Sequence, residues 1–469
     1  MTLVRKNKSA INMLVLILIL MLILFFKLPD ELDEVYRKCY IVDILCLGIC
    51  GVVYTLSNIK GLIDLFSPIT LFTVIYCFMF FIAPIYDLLI GEITWFGIDF
   101  FDQGVRCSIY ALIGYLIFYI AYSIGGINSR SYYYEYYSKE EREVYPNKRI
   151  IHFIILGYMI CLIANIYYLV NASGTSVMYV LSLGIIGTAG KDVEASLGAI
   201  SMLSYALPSF TLLYIEYGRN RILKIIAFFL MFELQVARGF RFLILQIIVM
   251  FGAYYFLKRD KKPKISQLLL LTIVALIPIV LMTLFRNSIR TGLGMDMTLI
   301  SRNTIVDAMD AAFWENLRIY KNYYALVKVV PDRTPFLYGA QTIIYTAIML
   351  IPRAIWKTKP GNPGTLAQSV ALGQAAVLGG SAYPALGEYY YDFGLWGIII
   401  WMFIWGVFLK KIEKKYRFNM QSKVDLMVFC TILGAILQFT IRGYMPSNFW
   451  MLVFCIIPYW LVKRLRSRE

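Results

Sequence analysis

Apolar and polar positions along this chain fall into long blocks. Twelve runs are apolar enough, and near enough to the roughly 20 residues that a helix needs, to cross the hydrocarbon of a bilayer. They lie near 11–27, 41–58, 67–90, 105–125, 150–171, 197–217, 222–237, 240–257, 265–285, 388–409, 424–441 and 448–463. Several contain Gly or Pro, which membrane helices tolerate better than soluble ones. The blocks predict an all-α polytopic membrane protein with about twelve transmembrane helices, read as a single integral membrane domain over 1–469. The run Ile11–Phe26 follows Arg5, Lys6 and Lys8 as a signal peptide would. It lacks a small-residue cleavage site and is followed by Lys27, Pro29 and Asp30, so it reads as a retained first span.

One interval breaks the pattern. Between Arg286 and Asp392 the chain stays largely polar for about a hundred residues, a length that loops in compact proteins reach mainly when they are used. The large loop proper, 286–387, is expected to roof an active site. Within it, Ile305, Met309, Ala312, Phe313, Leu317, Tyr320, Tyr324 and Val327 recur at helical spacing. They predict an amphipathic helix over 298–330 lying on the membrane surface. Residues 337–356 are nearly apolar enough to insert and are expected to form a surface or re-entrant helix. The alternative, a full span, would carry Lys357 and Lys359 inside and require a weak compensating span near 365–382. The Gly-, Ser- and Ala-rich stretch 360–387 reads as a flexible or substrate-covering loop. Another polar stretch, 128–149, is dense in tyrosine and charge and reads as an interfacial helix or a partner-binding loop.

Charge fixes the orientation and removes one function class. The formal net charge is +16, which taken alone suggests nucleic acid. With the N-terminus placed in the cytoplasm, however, 27 of the 45 Lys and Arg fall on the cytoplasmic side and ten of the rest in the long loop. This is the positive-inside distribution of a membrane protein, with both termini inside and the long loop outside. Composition agrees. The chain is 60% hydrophobic, against about 45–50% for soluble domains, and its 36 tyrosines suit interface belts. Of eight cysteines, seven (Cys46, Cys50, Cys77, Cys107, Cys161, Cys430 and Cys455) sit in apolar runs, and no CxxC pair occurs. They read as small buried hydrophobes, with neither disulfides nor zinc expected.

Candidate chemistry is narrow. The sequence has no GxxxxGK[ST] loop and no HExxH, and its one histidine, His152, falls at the cytoplasmic end of the fifth span. No cofactor and no metal site is expected. What stands out is arginine on the outer side, where positive charge is otherwise sparse. Arg238 and Arg241 lie in the tight turn between spans seven and eight, Arg442 in the turn between spans eleven and twelve, and Arg286 and Arg290 one turn apart at the end of span nine. Arg353 lies within the loop. Each alone reads equally as a boundary residue snorkelling to the interface. Together they suit a diphosphate, because guanidinium is a planar, permanently charged donor matched to phosphate oxygens. Acids share that side. Glu388 and Asp392, four apart, fall on one helical face at the start of span ten. Burial raises a carboxylate's proton affinity and a nearby Arg lowers it, a balance that suits a general base, and Glu388 is the first candidate. A helix-start acid favoured by the dipole is the plain alternative for both. Asp392, Lys357, Lys359 and Glu315 are supporting candidates, with Asp310 a weaker one on the same predicted helix as Glu315.

At these residues the chain resembles a known family. Ile351-Pro352-Arg353-Ala354-Ile355-Trp356, Lys359-Pro360, a glycine-rich interval and Ser381 through Gly387-Glu388-Tyr389-Tyr390-Tyr391-Asp392-Phe393-Gly394-Leu395-Trp396-Gly397 look like the Wzy-type O-antigen and capsule repeat-unit polymerases. The turn Arg238-Gly239-Phe240-Arg241 fits as well. The resemblance implies a C-type glycosyltransferase architecture in the bacterial inner membrane, inverting and metal-independent. It implies undecaprenyl-diphosphate-linked oligosaccharides as substrates and admits a chain-length regulator as a partner. Bond energy would come from the lipid diphosphate, in keeping with the missing ATP motif. A flippase for the same lipid-linked units competes, but no half-to-half similarity is seen and one loop dwarfs the rest. An O-antigen ligase competes less well, since the ligases resemble one another in an outer-loop histidine that this loop lacks. A scaffold membrane protein is the remaining alternative.

Overall fold

The structure is a computed structural model that describes all residues except 1, 29–31, 59–63, 125–146, 174–198, 239, 261–262, 291–301, 353–354, 374–381, 419 and 467–469. The tyrosine-rich stretch predicted within 128–149 therefore lies almost wholly outside the described residues. The described chain is helical almost throughout, with one short hairpin, Thr94–Trp95 paired to Ile98–Asp99. In order the main helices are α1 (Thr2–Phe26), α2 (Glu34–Asn58), α3 (Pro68–Ile90, with a π-helical turn at Phe78–Ile82) and α4 (Gly104–Ile124). Then come α5 (Lys148–Ser173), α6 (Leu207–Tyr217), α7 (Arg221–Ala237), α8 (Arg241–Lys258) and α9 (Ile265–Arg290). The loop interval contributes α10 (Arg302–Leu317), α11 (Tyr320–Val329) and α12 (Thr365–Leu372). The chain closes with α13 (Ala385–Glu413), α14 (Lys423–Ile441) and α15 (Met445–Arg466).

Among the described residues, eight helices are long and apolar enough to cross a membrane, and the chain is an all-α, multi-pass membrane protein. Apolar side chains stand exposed along the bundle wall, among them Leu16 and Ile19 on α1, Ile225 and Phe229 on α7 and Ile273 and Ile277 on α9, as suits helices whose solvent is lipid. The other four of the twelve predicted spans are helical but shorter. The apolar parts of α1 and α9 run over Leu14–Phe26 and Ser266–Leu281, and α7 has 17 residues. The predicted span 197–217 is broken by a 3₁₀ turn at Ser204–Ala206 before α6. Pro208 in the first turn of α6 lacks the N–H a continuous helix would use.

Within the bundle α13 packs along α4 and α8 along α14. The end bearing the Arg286–Asp392 interval, here the loop face, is roofed rather than open. The predicted surface helix over 298–330 is two helices with different surroundings. α10 exposes Val306, Met309 and Phe313 on one side, as a helix lying on lipid would. α11 is buried almost all round and packs between α12 and α13, which corrects the surface placement for this half. Its polar residues have partners that the sequence does not reveal. Lys321 meets Asp87 at 2.9 Å and donates to the carbonyl of Glu92, while Asn322 accepts from Trp95 Nε1 at 2.5 Å and donates to the carbonyl of Ala382. Burial pulls the Lys321 ammonium below the ordinary lysine range, and Asp87 pulls it back. Residues 337–356 do not form one long helix. A π-helical turn over Ala340–Tyr345 runs into Thr346–Ile348 and stops. That segment is tied down by Trp450 Nε1 of α15, which donates to the carbonyl of Thr346 at 2.7 Å.

Candidate active site beneath the roof

The site grows from a break in α13. Phe393 (φ −144, ψ 22) and Gly394 (φ 62, ψ −143) leave helical geometry, and the chain doubles back. The Gly394 conformation lies close to a region that only glycine enters without strain. The two arms then touch over distances a straight helix could not close. Trp405 Nε1 donates to the Tyr389 hydroxyl at 2.7 Å, and the Tyr389 and Trp401 rings stack with centroids 5.7 Å apart. Gly397 sits so near the Tyr389 carbonyl that a Cβ would overlap it. The Asp392-Phe393-Gly394-Leu395-Trp396-Gly397 run is therefore the corner of a helical hairpin, and its short arm, Ala385–Asp392, carries both acids.

Glu388 is 2% exposed, and both its oxygens accept the backbone N–H of Met445, at 3.0 and 2.9 Å. It thus covers the N-terminus of α15, where unpaired N–H groups and the helix dipole favour an anion. Asp392 is fully buried one turn on and accepts the hydroxyl of Thr342. The backbone reinforces this, since Leu337 and Tyr338 donate to the carbonyls of Tyr391 and Asp392 at 3.0 and 2.9 Å. The segment following Leu337 is thereby laid over both acids. Asp392 Oδ1, Gln341 Nε2 and the Tyr391 hydroxyl make only loose contacts among the described residues, with the Gln341 amide set against Glu388, Tyr391 against the backbone of Ala367 and Asp392 against the backbone of Gly339, Gln341 and Thr342.

The candidate arginines separate. Arg442 belongs with Glu388. Its turn is held by Gly443 N–H donating to the Tyr383 carbonyl at 2.8 Å, and by Asn448 Nδ2 donating to the Arg442 carbonyl at 2.8 Å. The half-exposed Arg442 side chain thus starts three residues from the N–H that Glu388 accepts. Arg238 lies deeper. It is 2% exposed, with its guanidinium over the rings of Tyr205 and Tyr168 at 4.0 and 4.5 Å and a hydrogen bond to Ser204 Oγ. Tyr205 in turn accepts Cys455 Sγ of α15 through its carbonyl at 3.1 Å. Arg238 and Glu388 therefore flank one helix at levels ten residues apart, roughly 15 Å along its axis. Arg241 reaches the Ala311 carbonyl of α10 at 3.2 Å. Lys359 is buried and donates to the carbonyls of Met349 and Ile351 at 2.7 and 3.1 Å, closing the end of the 340–351 segment, while Lys357 is exposed. Arg353 lies outside the described residues, as do the side chains of Arg286, Arg290 and Glu315.

Sequence reasoning passed over Gln341, Thr342 and Asp87, the first two because they are uncharged. The available signal was an Ala340-Gln341-Thr342 step inside an otherwise apolar run, where a polar side chain must find or await a partner.

The fold and the roofed carboxylates define a polytopic membrane protein with a buried acidic site under its long loop. The family described as O-antigen polysaccharide polymerase Wzy matches over residues 10–469, and the chain belongs to that family. Two curated relatives, both named O-antigen polymerase, come from Salmonella typhimurium and Salmonella typhi. Each is 31% identical over 125 residues, 26% of this chain and 30% of the relative, so the aligned part spans less than a third of those proteins. No solved structure matches the chain.

Proposed function

We propose that this protein is a glycosyltransferase that polymerises lipid-linked oligosaccharide repeat units. It moves the growing glycan from undecaprenyl diphosphate onto the sugar of an incoming lipid-linked unit, with inversion and without a metal. The work takes place at the outer face of the bacterial inner membrane, under the loop face. The chain crosses the membrane twelve times and keeps both termini in the cytoplasm. Family membership supports the reaction class, and the positive-inside charge pattern supports the orientation.

The observation that carries this reading is the Glu388–Asp392 arm, two acids buried beneath a roof with only neutral polar groups set against them among the described residues. Glu388 takes the proton from an acceptor hydroxyl. That oxygen attacks the anomeric carbon of the donor, the bond from that carbon to the diphosphate oxygen breaks, and the diphosphate leaves with the electron pair. A carboxylate offers about four lone-pair sites, and two directions remain after Met445 is served. Arginines stabilise the leaving diphosphate in the place a metal would take, the candidates being Arg442, three residues before the Met445 that Glu388 accepts, and Arg238, Arg241, Arg286, Arg290 and Arg353. Asp392 holds the roof segment through Thr342, and Lys357, Lys359 and Glu315 support the loop.

The test is a ladder assay. Membranes carrying wild type, Glu388→Gln or Arg353→Ala receive native lipid-linked repeat units, and the products are resolved by size. Wild type is expected to build a ladder and both variants to stop at single units. A ladder that survives both changes moves the site elsewhere in a polymerase. Well-folded wild type that forms no ladder from its native unit removes the polymerase reading.

A further inference from the structure

Glu388 and Asp392 are 2% and 0% exposed, so an acceptor hydroxyl reaches neither unless something over them moves. Two elements are set against them: the start of α15, through the Met445 N–H, and the segment 340–351, through Gln341 and Thr342. α15 is a 22-residue helix packed along α14. The segment is slighter. It is a π-helical turn, Ala340–Tyr345, followed by only three α-helical residues. It leaves the arm through two consecutive residues with left-handed backbone, Tyr338 (φ 50) and Gly339 (φ 83). A tyrosine takes that conformation only under strain, and both strained corners and π turns gather at working sites.

The segment has two unlike faces. Inward, Gln341 and Thr342 are buried, the amide set against Glu388 and the hydroxyl donated to Asp392. Outward it shows Ile343, Ile344 and Ala347, the two isoleucines more than half exposed. No charged residue occurs between positions 340 and 352. In a multi-pass membrane protein such an uncharged, apolar outer face suits lipid. The segment is thus a single layer with bilayer on one side and the acids on the other.

Its two ends are held more firmly than its middle. At one end Leu337 and Tyr338 donate to the carbonyls of the arm. At the other, Met349 packs with Tyr205, Leu243 and Met451, and Lys359 donates to the carbonyls of Met349 and Ile351. Between them the closing contacts are neutral hydrogen bonds: those to the two acids, Gly364 N–H to Gln341 Oε1 at 2.8 Å and Trp450 Nε1 to the Thr346 carbonyl at 2.7 Å.

We propose that residues 340–348 are a lateral gate, hinged at Tyr338 and Gly339 and closed here with Gln341 and Thr342 standing where substrate hydroxyls go. It opens toward the bilayer, so that the sugar end of a lipid-linked unit reaches Glu388 while the lipid end stays in the membrane. Hydroxyls of the unit replace the hydrogen bonds that Gln341 and Thr342 give the acids, and binding therefore favours the open form. The inference rests on the reading of Glu388 as the base and supplies its route of access.

The test locks the gate. Full-length protein in membranes carries Thr346→Cys with Trp450→Cys, the two positions joined by the 2.7 Å contact, and is treated with a short bis-thiosulfonate linker that a reductant cleaves. Mass spectrometry verifies the link, and wild type, whose eight cysteines are buried, is the control. Linking is expected to lower the polymerisation rate at least tenfold, and cleavage to restore it. Polymerisation at the unlinked rate by fully linked protein overturns the gate. If the double variant does not fold, Trp450→Phe takes its place. It removes one neutral hydrogen bond that holds the gate closed, so KM for the lipid-linked unit should fall about two- to tenfold with kcat no lower. An unchanged or higher KM overturns the inference. Failure of the underlying reading looks different: Glu388→Gln then polymerises normally, whatever the linker does.

Discussion

Two buried acids at the loop face are treated in opposite ways. Asp87, at the end of α3, is fully buried and surrounded by cations and a phenol: Arg318 Nε, Lys321 Nζ and the Tyr320 hydroxyl each lie 2.9 Å from it. Glu388 is as deeply buried, but the groups that meet it are a backbone N–H and a neutral amide, and it forms no ion pair within 4.0 Å among the described residues. Asp87 is a latch. Its charge is neutralised by side chains of the roof, which joins α11 to α3, and three donors occupy its oxygens. Glu388 is positioned by neutral donors only, with no cation to hold it as a fixed ion pair among the described residues. Burial alone does not separate the two, and the type of partner does.

The largest effect should come from Glu388→Gln. General acid–base groups contribute about 10²- to 10⁴-fold, and a loss of that order in the polymerisation rate is expected. The unfolding midpoint in detergent should hardly move, because glutamine Oε1 can still accept the Met445 N–H. Asp87→Ala should do the reverse. It leaves Arg318 and Lys321 facing each other in a buried site, and breaking such a cluster from one side costs about 3–5 kcal/mol of stability. The fraction that stays folded should polymerise at the wild-type rate. If the two variants exchange phenotypes, so that Glu388→Gln unfolds the protein and Asp87→Ala silences it, the comparison fails.

Much of this layout was legible in sequence. Block hydropathy identified the membrane class and placed helices under all twelve predicted spans, because an apolar helix in lipid needs no long-range partner. Eight of those meet a spanning length among the described residues. The acids were legible too, since Glu388 and Asp392 four apart on an apolar helix stand out by charge. The fold-back was not. Gly394 reads as one more tolerated glycine in a span until its φ of +62 is known. The burial of α11 was hidden for a related reason. Lys321 and Asn322 argue for a solvated face, and only contact with Asp87 and Trp95, more than two hundred residues away in sequence, makes them core. Gln341 was invisible because nothing in sequence places a neutral side chain against a carboxylate nearly fifty residues away.

The third effect concerns how the Glu388 arm is held. Gly394→Ala places a Cβ in a backbone conformation that costs of the order of 1–3 kcal/mol for an L side chain. The expected outcome is a lower unfolding midpoint together with weaker polymerisation, because straightening the corner withdraws Ala385–Asp392 from beneath the roof. The Asp87 latch lies outside the corner, so protease cleavage within α10 and α11 should stay at wild-type rates in membranes. Faster cleavage there than elsewhere would mean that the two regions are one cooperative unit.

The smallest effect should come from Trp405→Phe, which keeps a ring against Tyr389 and removes only the 2.7 Å hydrogen bond to its hydroxyl. A single neutral hydrogen bond is worth about 0.5–1.5 kcal/mol net, so the midpoint should fall only slightly. The informative quantity is the acceptor KM. Tyr389 adjoins Glu388 on the short arm, and loosening it lets the carboxylate wander without changing its chemistry. A KM raised a few fold at near-normal kcat, restored toward wild type when Tyr389→Phe removes the stranded hydroxyl as well, would show that the hairpin serves to position the acid. Unchanged kinetics in both variants would assign all of that positioning to the Gly394 corner and to the Met445 N–H that Glu388 accepts.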